Sequence, residues 1–294
     1  MPFCRCLIAL VLLVGGYSAS ADIRIRDDAG QEIRLAAPAR RIVSLAPHVT
    51  ETLFAAGAGD RIVGTVEFSN YPEAAKSIPR VGGYERVDLE AVLTLKPDLV
   101  VGWQSGNSQA HLDKLRKFGL PVYLTQSNHI DDIAPTLEHL GEMAGTSPVA
   151  RVAAKAYRDR LATLRARFGS RPVVRTFYQV WHQPLMTVGG KQIISDAIRL
   201  CGGENVFDHL GSMAAAISEE AVIAADPEVI IASGMNEARP DWVDNWRRWK
   251  TLTAVIRDNL FFIPPDLIQR HTPRLLDGAE MLCNHLEKAR TRRK

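Results

Sequence analysis

Side chains able to do covalent chemistry are scattered along this chain and fall into no familiar arrangement. No G-x-S-x-G turn, no phosphate-cradling G-x-x-x-x-G-K loop and no H-E-x-x-H helix occurs in the sequence. The eight histidines lie far apart. His48, His182 and His271 fall where loops should border a cleft, yet a lone histidine is first read as a satisfied polar group. Gly82-Gly83 and Gly189-Gly190 are read as turn glycines before phosphate binders. What the chain does offer is aromatic surface: Phe68 and Tyr71 follow one apolar strand, Tyr84 lies in a loop, and Trp103 and Trp181 end two further strands. Flat rings at strand ends suit a large flat ligand, so the expected chemistry is capture without catalysis. An α/β enzyme or metal-cofactor protein is the competing class; a hydrolase would want a nucleophile with its base, and a metal cluster more cysteines.

The elements that must position those rings follow from the apolar pattern. Ile23, Ile25, Ile33 and Leu35 alternate with charged residues around Asp28-Ala29-Gly30, which predicts an opening hairpin. Short apolar runs at Ile42–Leu45, Ile62–Val66, Leu99–Trp103 and Val122–Leu124 alternate with helical patterns at Thr50–Ala56, Asp88–Leu95, His111–Phe118 and Ile130–Ala144. That alternation implies a parallel sheet covered on both faces. It returns later, with strands at Val173–Val180, Val229–Ala232 and Leu260–Ile263 and helices at Ser195–Leu200 and Glu219–Ala225. Trp242, Trp246 and Trp249 recur at helical spacing and are read as packing within a helix.

Between the two halves, Ser147 to Phe168 reads as one helix of about 30 Å, with Pro148 in its first turn and Gly169 and Pro172 beyond its end. Val149, Val152, Ala153, Ala156, Tyr157, Leu161, Leu164 and Phe168 are the expected apolar face. The chain after this helix partly repeats the chain before it. Glu90-Ala91-Val92 and Lys96-Pro97-Asp98-Leu99-Val100-Val101 align with Glu220-Ala221-Val222 and Asp226-Pro227-Glu228-Val229-Ile230-Ile231 at a constant offset of 130. Gly59-Asp60-Arg61-Ile62-Val63 aligns with Gly203-Glu204-Asn205-Val206-Phe207 at 144. The expected fold is therefore α/β, with two similar lobes carrying parallel sheets and joined by one long helical crossover. A ligand cleft lies between such lobes.

The 294 residues, 46% hydrophobic and 23% charged, are an ordinary globular composition for about two domains. Met1 to Ala21 reads as a secretory signal: Arg5 precedes the apolar run Leu7 to Val14, and Ala19-Ser20-Ala21 offers small residues for cleavage. The expected division is 1–21 signal, 22–146 N-terminal lobe, 147–169 connecting helix and 170–294 C-terminal lobe. Cys4 and Cys6 leave with the signal, so Cys201 and Cys283 remain in a chain bound for an oxidising compartment. One disulfide is the expected state and two separately buried thiols the alternative. Neither cysteine has a second ligand at a zinc-like spacing. The net charge of +3 leaves nothing that asks for nucleic acid.

The sequence RIVSLAPHVTETLFAAGAGDRIVG, then SNYP, LEAVLTLKPDLVVGW with GN after it, CGGENVF, and Asp266 to Arg274 ending in R-H-T-P-R resemble, in order, the landmarks of the periplasmic cobalamin-binding proteins that feed an ATP-driven importer. The resemblance covers nearly the whole mature chain and implies the class III periplasmic receptor fold, two Rossmann-like lobes with parallel sheets joined by one long rigid helix. It implies a periplasmic, non-enzymatic, monomeric receptor with no cofactor of its own. Cobalamin or a related corrinoid is the implied ligand, delivered to a dimeric permease of an ABC transporter in the inner membrane. By position, the family's ligand-contacting aromatics fall on Phe68, Tyr84 and Trp103, and its late binding loop on Asp266, Leu267, Ile268, Gln269 and Arg270. Tyr84 stands where the family favours tryptophan and Phe68 where it favours tyrosine, while Val180 and Ala214 occupy positions often aromatic. Trp181 beside Val180 is the candidate replacement ring. The thinner aromatic wall keeps haem or an iron–siderophore as the alternative ligand, with Tyr84 as its candidate axial group. Glu90 and Glu220, equivalent in the repeat and each opening a helix, match the family's two permease-docking glutamates.

Overall fold

Ile25, Ile33 and Leu35 are buried on one face of the opening hairpin, where β1 (Ile23–Arg26) pairs antiparallel with β2 (Glu32–Leu35). The structure, a computed structural model, describes residues 22–234 and 238–293. The expected signal, Met1 to Ala21, lies outside them.

After the hairpin come β3 (Ile42–Ser44), α1 (Pro47–Ala55), β4 (Ile62–Gly64), α2 (Leu89–Thr94), β5 (Leu99–Trp103), α3 (Gln109–Lys117), β6 (Val122–Thr125) and α4 (Ile133–Met143). The four strands form a parallel sheet in the order β4-β3-β5-β6. Their residues are almost all buried, as continuous apolar runs covered on both faces require. Then come α5 (Ser147–Phe168), β7 (Val174–His182), β8 (Leu185–Val188), α6 (Ile193–Leu200), β9 (Gly203–Asn205), β10 (Ala214–Ala216), α7 (Glu219–Ala225), β11 (Val229–Ala232), α8 (Thr253–Ile256), β12 (Leu260–Phe262), α9 (Pro265–Ile268) and α10 (Leu275–Thr291).

In the second sheet β9, β7, β11 and β12 run parallel in the order that β4, β3, β5 and β6 take in the first. The repeat extends to single contacts. The Arg41 amide donates to Asp98 and its guanidinium to the Leu95 carbonyl; the Arg175 amide donates to Glu228 and its guanidinium to the Ala225 carbonyl. Lys96 and Asp226, equivalent at the offset of 130, both have positive φ, 45° and 39°. The second sheet departs from an all-parallel arrangement at one edge, where β8 and β10 pair antiparallel beyond β7.

The helix α5 has the expected bounds, but its buried face is rotated from the expected one. Ala150, Ala154, Tyr157, Leu161, Leu164 and Phe168 are buried, while Val149 and Val152 are 52% and 72% exposed. Steps alternating between four and three residues keep one seam inward, and two valines chosen by type alone fall off it. Small residues let α4 come close: a Cβ on Gly141 would sit 2.2 Å from the Ala150 Cβ. The six buried residues of α5 belong to one continuous core that takes in Ile42 and Tyr123 of the first lobe and Val174 and Ile198 of the second. Trp242 and Trp246 lie on a 3₁₀ segment, Asp241–Arg248, with Trp249 just beyond it; of the three tryptophans only Trp246 is buried, and it donates to Gln179 at 2.8 Å.

Candidate functional site

The carboxyl ends of both parallel sheets point toward the junction of the lobes, the position at which open α/β sheets bind ligands. Trp103 closes β5, and Asn107 fixes its surroundings. The Asn107 amide oxygen accepts from the Trp103 amide at 2.6 Å, and its nitrogen donates to the carbonyls of Leu45 and Tyr84 at 2.9 and 2.7 Å. Gly106 is required beneath the indole, because a Cβ there would lie 1.8 Å from the ring. Tyr84 stands 5.9 Å from Trp103 between ring centroids. His48 of α1 meets the indole edge-on at 5.1 Å, and His271 of the other lobe approaches it at 6.1 Å and His48 at 5.3 Å.

Both imidazoles are neutral at pH 7. Burial pushes the His271 pKa down to about 4 and holds His48 well below its ordinary value, where His271 and Arg270 add to the effect. The Trp103 indole nitrogen and His271 Nδ1 are buried without hydrogen-bond partners. A cavity of about 10 Å³ beside them is lined by Thr125, Ser127 and Thr136 hydroxyls as well as both histidines, room for about one water.

Phe68 is the unusual residue of the site. Its φ is 63°, and 69% of its surface is exposed. A bulky side chain in the left-handed region carries strain that its surroundings must hold in place. Here a buried hydroxyl network does so: Thr50, Thr65 and Ser69 are bonded to one another at 2.5 to 3.2 Å, directly beside Phe68. Tyr71, 44% exposed, carries the Arg274 guanidinium 3.6 Å above its ring.

The late loop folds partly onto itself. Arg270 pairs with Asp266 at 2.8 Å and donates to the Phe68 carbonyl at 3.2 Å, so its guanidinium is engaged within the protein. Ile268 is buried in the core, Leu267 is half-buried, and Gln269 donates to the Gly234 carbonyl at 3.3 Å. Trp181 stands apart from the Tyr84–Trp103 pair. Its indole donates to the Gln183 carbonyl, and its ring lies 5.0 Å from His182, which stacks on Trp242. That stack borders a cavity of about 190 Å³ in the C-terminal lobe, lined also by Gln179, Glu219, Trp246 and Trp249.

Glu90 and Glu220 are both exposed, each the second residue of its helix. Asp88 caps α2 and Ser218 caps α7, so neither glutamate is needed as the cap. Hydrogen bonds from its own amide and from Ser218 hold the Glu220 carboxyl below the usual range. Cys201 and Cys283 are joined, with 4.7 Å between their Cα atoms. No group of three or more His, Cys, Asp or Glu side chains among the described residues is placed to hold a metal ion.

Three residues central to this geometry were not singled out as contacts from sequence: Asn107, Glu51 and Arg274. Glu51 is 2% exposed and accepts from Thr272 and from two nitrogens of Arg274, all at 2.7 Å. The only signal was that the runs containing them, the GN pair, RIVSLAPHVTETLFAAGAGDRIVG and R-H-T-P-R, stood out as landmarks.

A sequence model of the family described as "Periplasmic binding protein" matches residues 42–267. The vitamin B12-binding protein of Vibrio parahaemolyticus is 36% identical over 257 residues, covering 87% of this chain and 92% of the relative. The crystal structure of the periplasmic vitamin B12 binding protein BtuF of Vibrio cholerae superposes with a TM-score of 0.80 at 37% identity, over 86% of this chain and 98% of that one. The periplasmic heme binding protein HutB of Vibrio cholerae shares the fold, with a TM-score of 0.72 at 21% identity over 84% of this chain and 98% of that one.

Proposed function

The chain belongs to the periplasmic binding protein family, and from that premise we propose that it captures cobalamin or a related corrinoid between its lobes. In this reading it is a periplasmic receptor, not an enzyme, and hands its ligand to an ABC transporter. Phe68 carries the reading: a strained residue whose ring stands 69% exposed at the lobe junction, beside Tyr71 and near the Tyr84–Trp103 pair, is a costly feature without a flat apolar partner. A corrinoid ring is larger than either cavity described above, so it would sit across the open junction, touching Phe68, Tyr84 and Trp103, with Trp181 at the second-lobe rim. Arg270 and Asp266 would then exchange part of their mutual pairing for amide or phosphate groups on the ligand's edge.

Haem or an iron chelate is the second reading, and Tyr84 is the residue that would favour it as an axial ligand. Burial and the neighbouring Glu85 raise the Tyr84 pKa, which disfavours the phenolate that haem iron would take. Glu90 and Glu220 would dock the two subunits of a permease dimer, one per lobe, since exposed carboxylates at helix starts give arginines a preformed target. The test is to incubate the purified protein with cyanocobalamin, cobinamide and haemin and record visible spectra after desalting. Retained corrinoid absorbance is expected. A retained haem band with no corrinoid would favour the second reading.

A further inference from the structure

Glu51 sits on α1 of the N-terminal lobe, yet every strong partner of its carboxylate belongs to the C-terminal lobe. One oxygen accepts from the Thr272 hydroxyl and from Arg274 Nε, the other from Arg274 Nη2, each at 2.7 Å, and Arg270 Nη1 lies 3.7 Å away. The two cations reach back to the two exposed rings of the first lobe. Arg270 donates to the carbonyl of Phe68, and Arg274 lies over Tyr71. With Asp266 paired to Arg270, the cluster holds two carboxylates and two guanidiniums, and its charge balances. Arg270 Nη1 is buried and faces the Glu51 carboxylate without a close hydrogen bond, so Glu51 sits between both cations.

A buried ion pair is a poor device for stability alone, because apolar residues of similar volume usually serve as well or better. Its directional bonds are better suited to fixing a register. Here the register is between the Phe68–Tyr71 loop of one lobe and the 270–274 loop of the other. We propose that Glu51 is the positioning residue of the capture surface: its carboxylate holds the two loops in the arrangement that receives the ligand and keeps the Arg270 guanidinium against the Phe68 carbonyl. The inference rests on the lobe junction being the ligand site.

The test uses Glu51→Gln in the full mature protein, followed by amide hydrogen exchange and by cyanocobalamin titration. Exchange is expected to rise about tenfold or more in both 66–71 and 269–275, with β5 and β11 unchanged, because the loops separate without unfolding either sheet. Affinity for cyanocobalamin is expected to fall about tenfold or more, seen mainly as faster dissociation. A purely structural role would lower the melting temperature and leave both readouts of the folded variant alone. If Glu51→Gln does not fold, the pair Glu51→Gln with Arg274→Met removes both charges together and should show the same exchange pattern. Unchanged exchange in 66–71, or unchanged affinity, overturns the proposal while leaving the cobalamin reading standing. If the unaltered protein binds no corrinoid, that reading falls, and exchange in 66–71 alone decides the role of Glu51.

Discussion

Phe68 combines a left-handed backbone with an exposed ring, a pairing that its residue type does not disclose. Phenylalanine was legible as one aromatic among several, whereas its left-handed backbone adjoins Ser69, which Thr50 and Thr65 hold only once the chain has folded. Phe68→Ala should cost little stability, since the ring is mostly exposed, and should weaken corrinoid binding about fivefold by loss of one stacking contact of about 1 kcal/mol. Calorimetric titration checks the affinity and urea unfolding the stability. The histidines make a second prediction. His48 and His271 are buried neutral, so between the unfolded pKa near 6.5 and the folded value of about 4 for His271 the unfolded chain binds more protons. Stability should therefore fall as pH drops from 6.5 toward 4, by on the order of 2 to 3 kcal/mol from His271. Urea unfolding at several pH values, with His271→Gln for comparison, checks it: the variant should lose the His271 share of the slope and keep that of His48.

At the scale of elements, the parallel strands were the most legible part of the chain. Runs such as Leu99–Trp103 and Val229–Ala232 have no polar alternation because both faces are covered, and their observed bounds match the apolar runs. The antiparallel edge was not legible: Ala214–Ala216 has no strand-forming side chains, and β9, Gly203–Asn205, is held by its pairing with β7. The rod α5 was legible in length but not in orientation, because alanines at 150 and 154 bury as well as valines when a neighbouring helix comes close. This has a direct test. Ala154→Leu should overpack the core and cost about 1 to 3 kcal/mol, whereas Val152→Ala should change stability by less than about 0.5 kcal/mol. Thermal unfolding of the two variants distinguishes the observed face from the one drawn by residue type.

At the scale of the whole molecule, two copies of one topology share a core that runs through α5, and the copies differ in the first lobe's opening hairpin and the second lobe's antiparallel edge. The Cys201–Cys283 bond spans 82 residues and ties the end of α6 to α10. Replacing both cysteines by alanine should cost about 2 to 5 kcal/mol, read as a lowered urea midpoint, while leaving the pocket aromatics in place. The repeat also brought Glu90 and Glu220 to equivalent, exposed positions on the two lobes. Reversing both to lysine should leave ligand binding intact and abolish stimulated ATP hydrolysis in a reconstituted transporter; unchanged transport would mean the two carboxylates merely complement their helix ends. What no single segment could disclose was how the lobes meet, because contacts such as Glu51 with Arg274 join residues 223 positions apart. The central claim is that this junction binds a corrinoid. It is tested most directly by calorimetric titration of the mature protein with cyanocobalamin, beside Trp103→Ala. The account expects one saturable site that weakens about tenfold or more when the indole is removed. No heat of binding, or an affinity indifferent to Trp103, would contradict it.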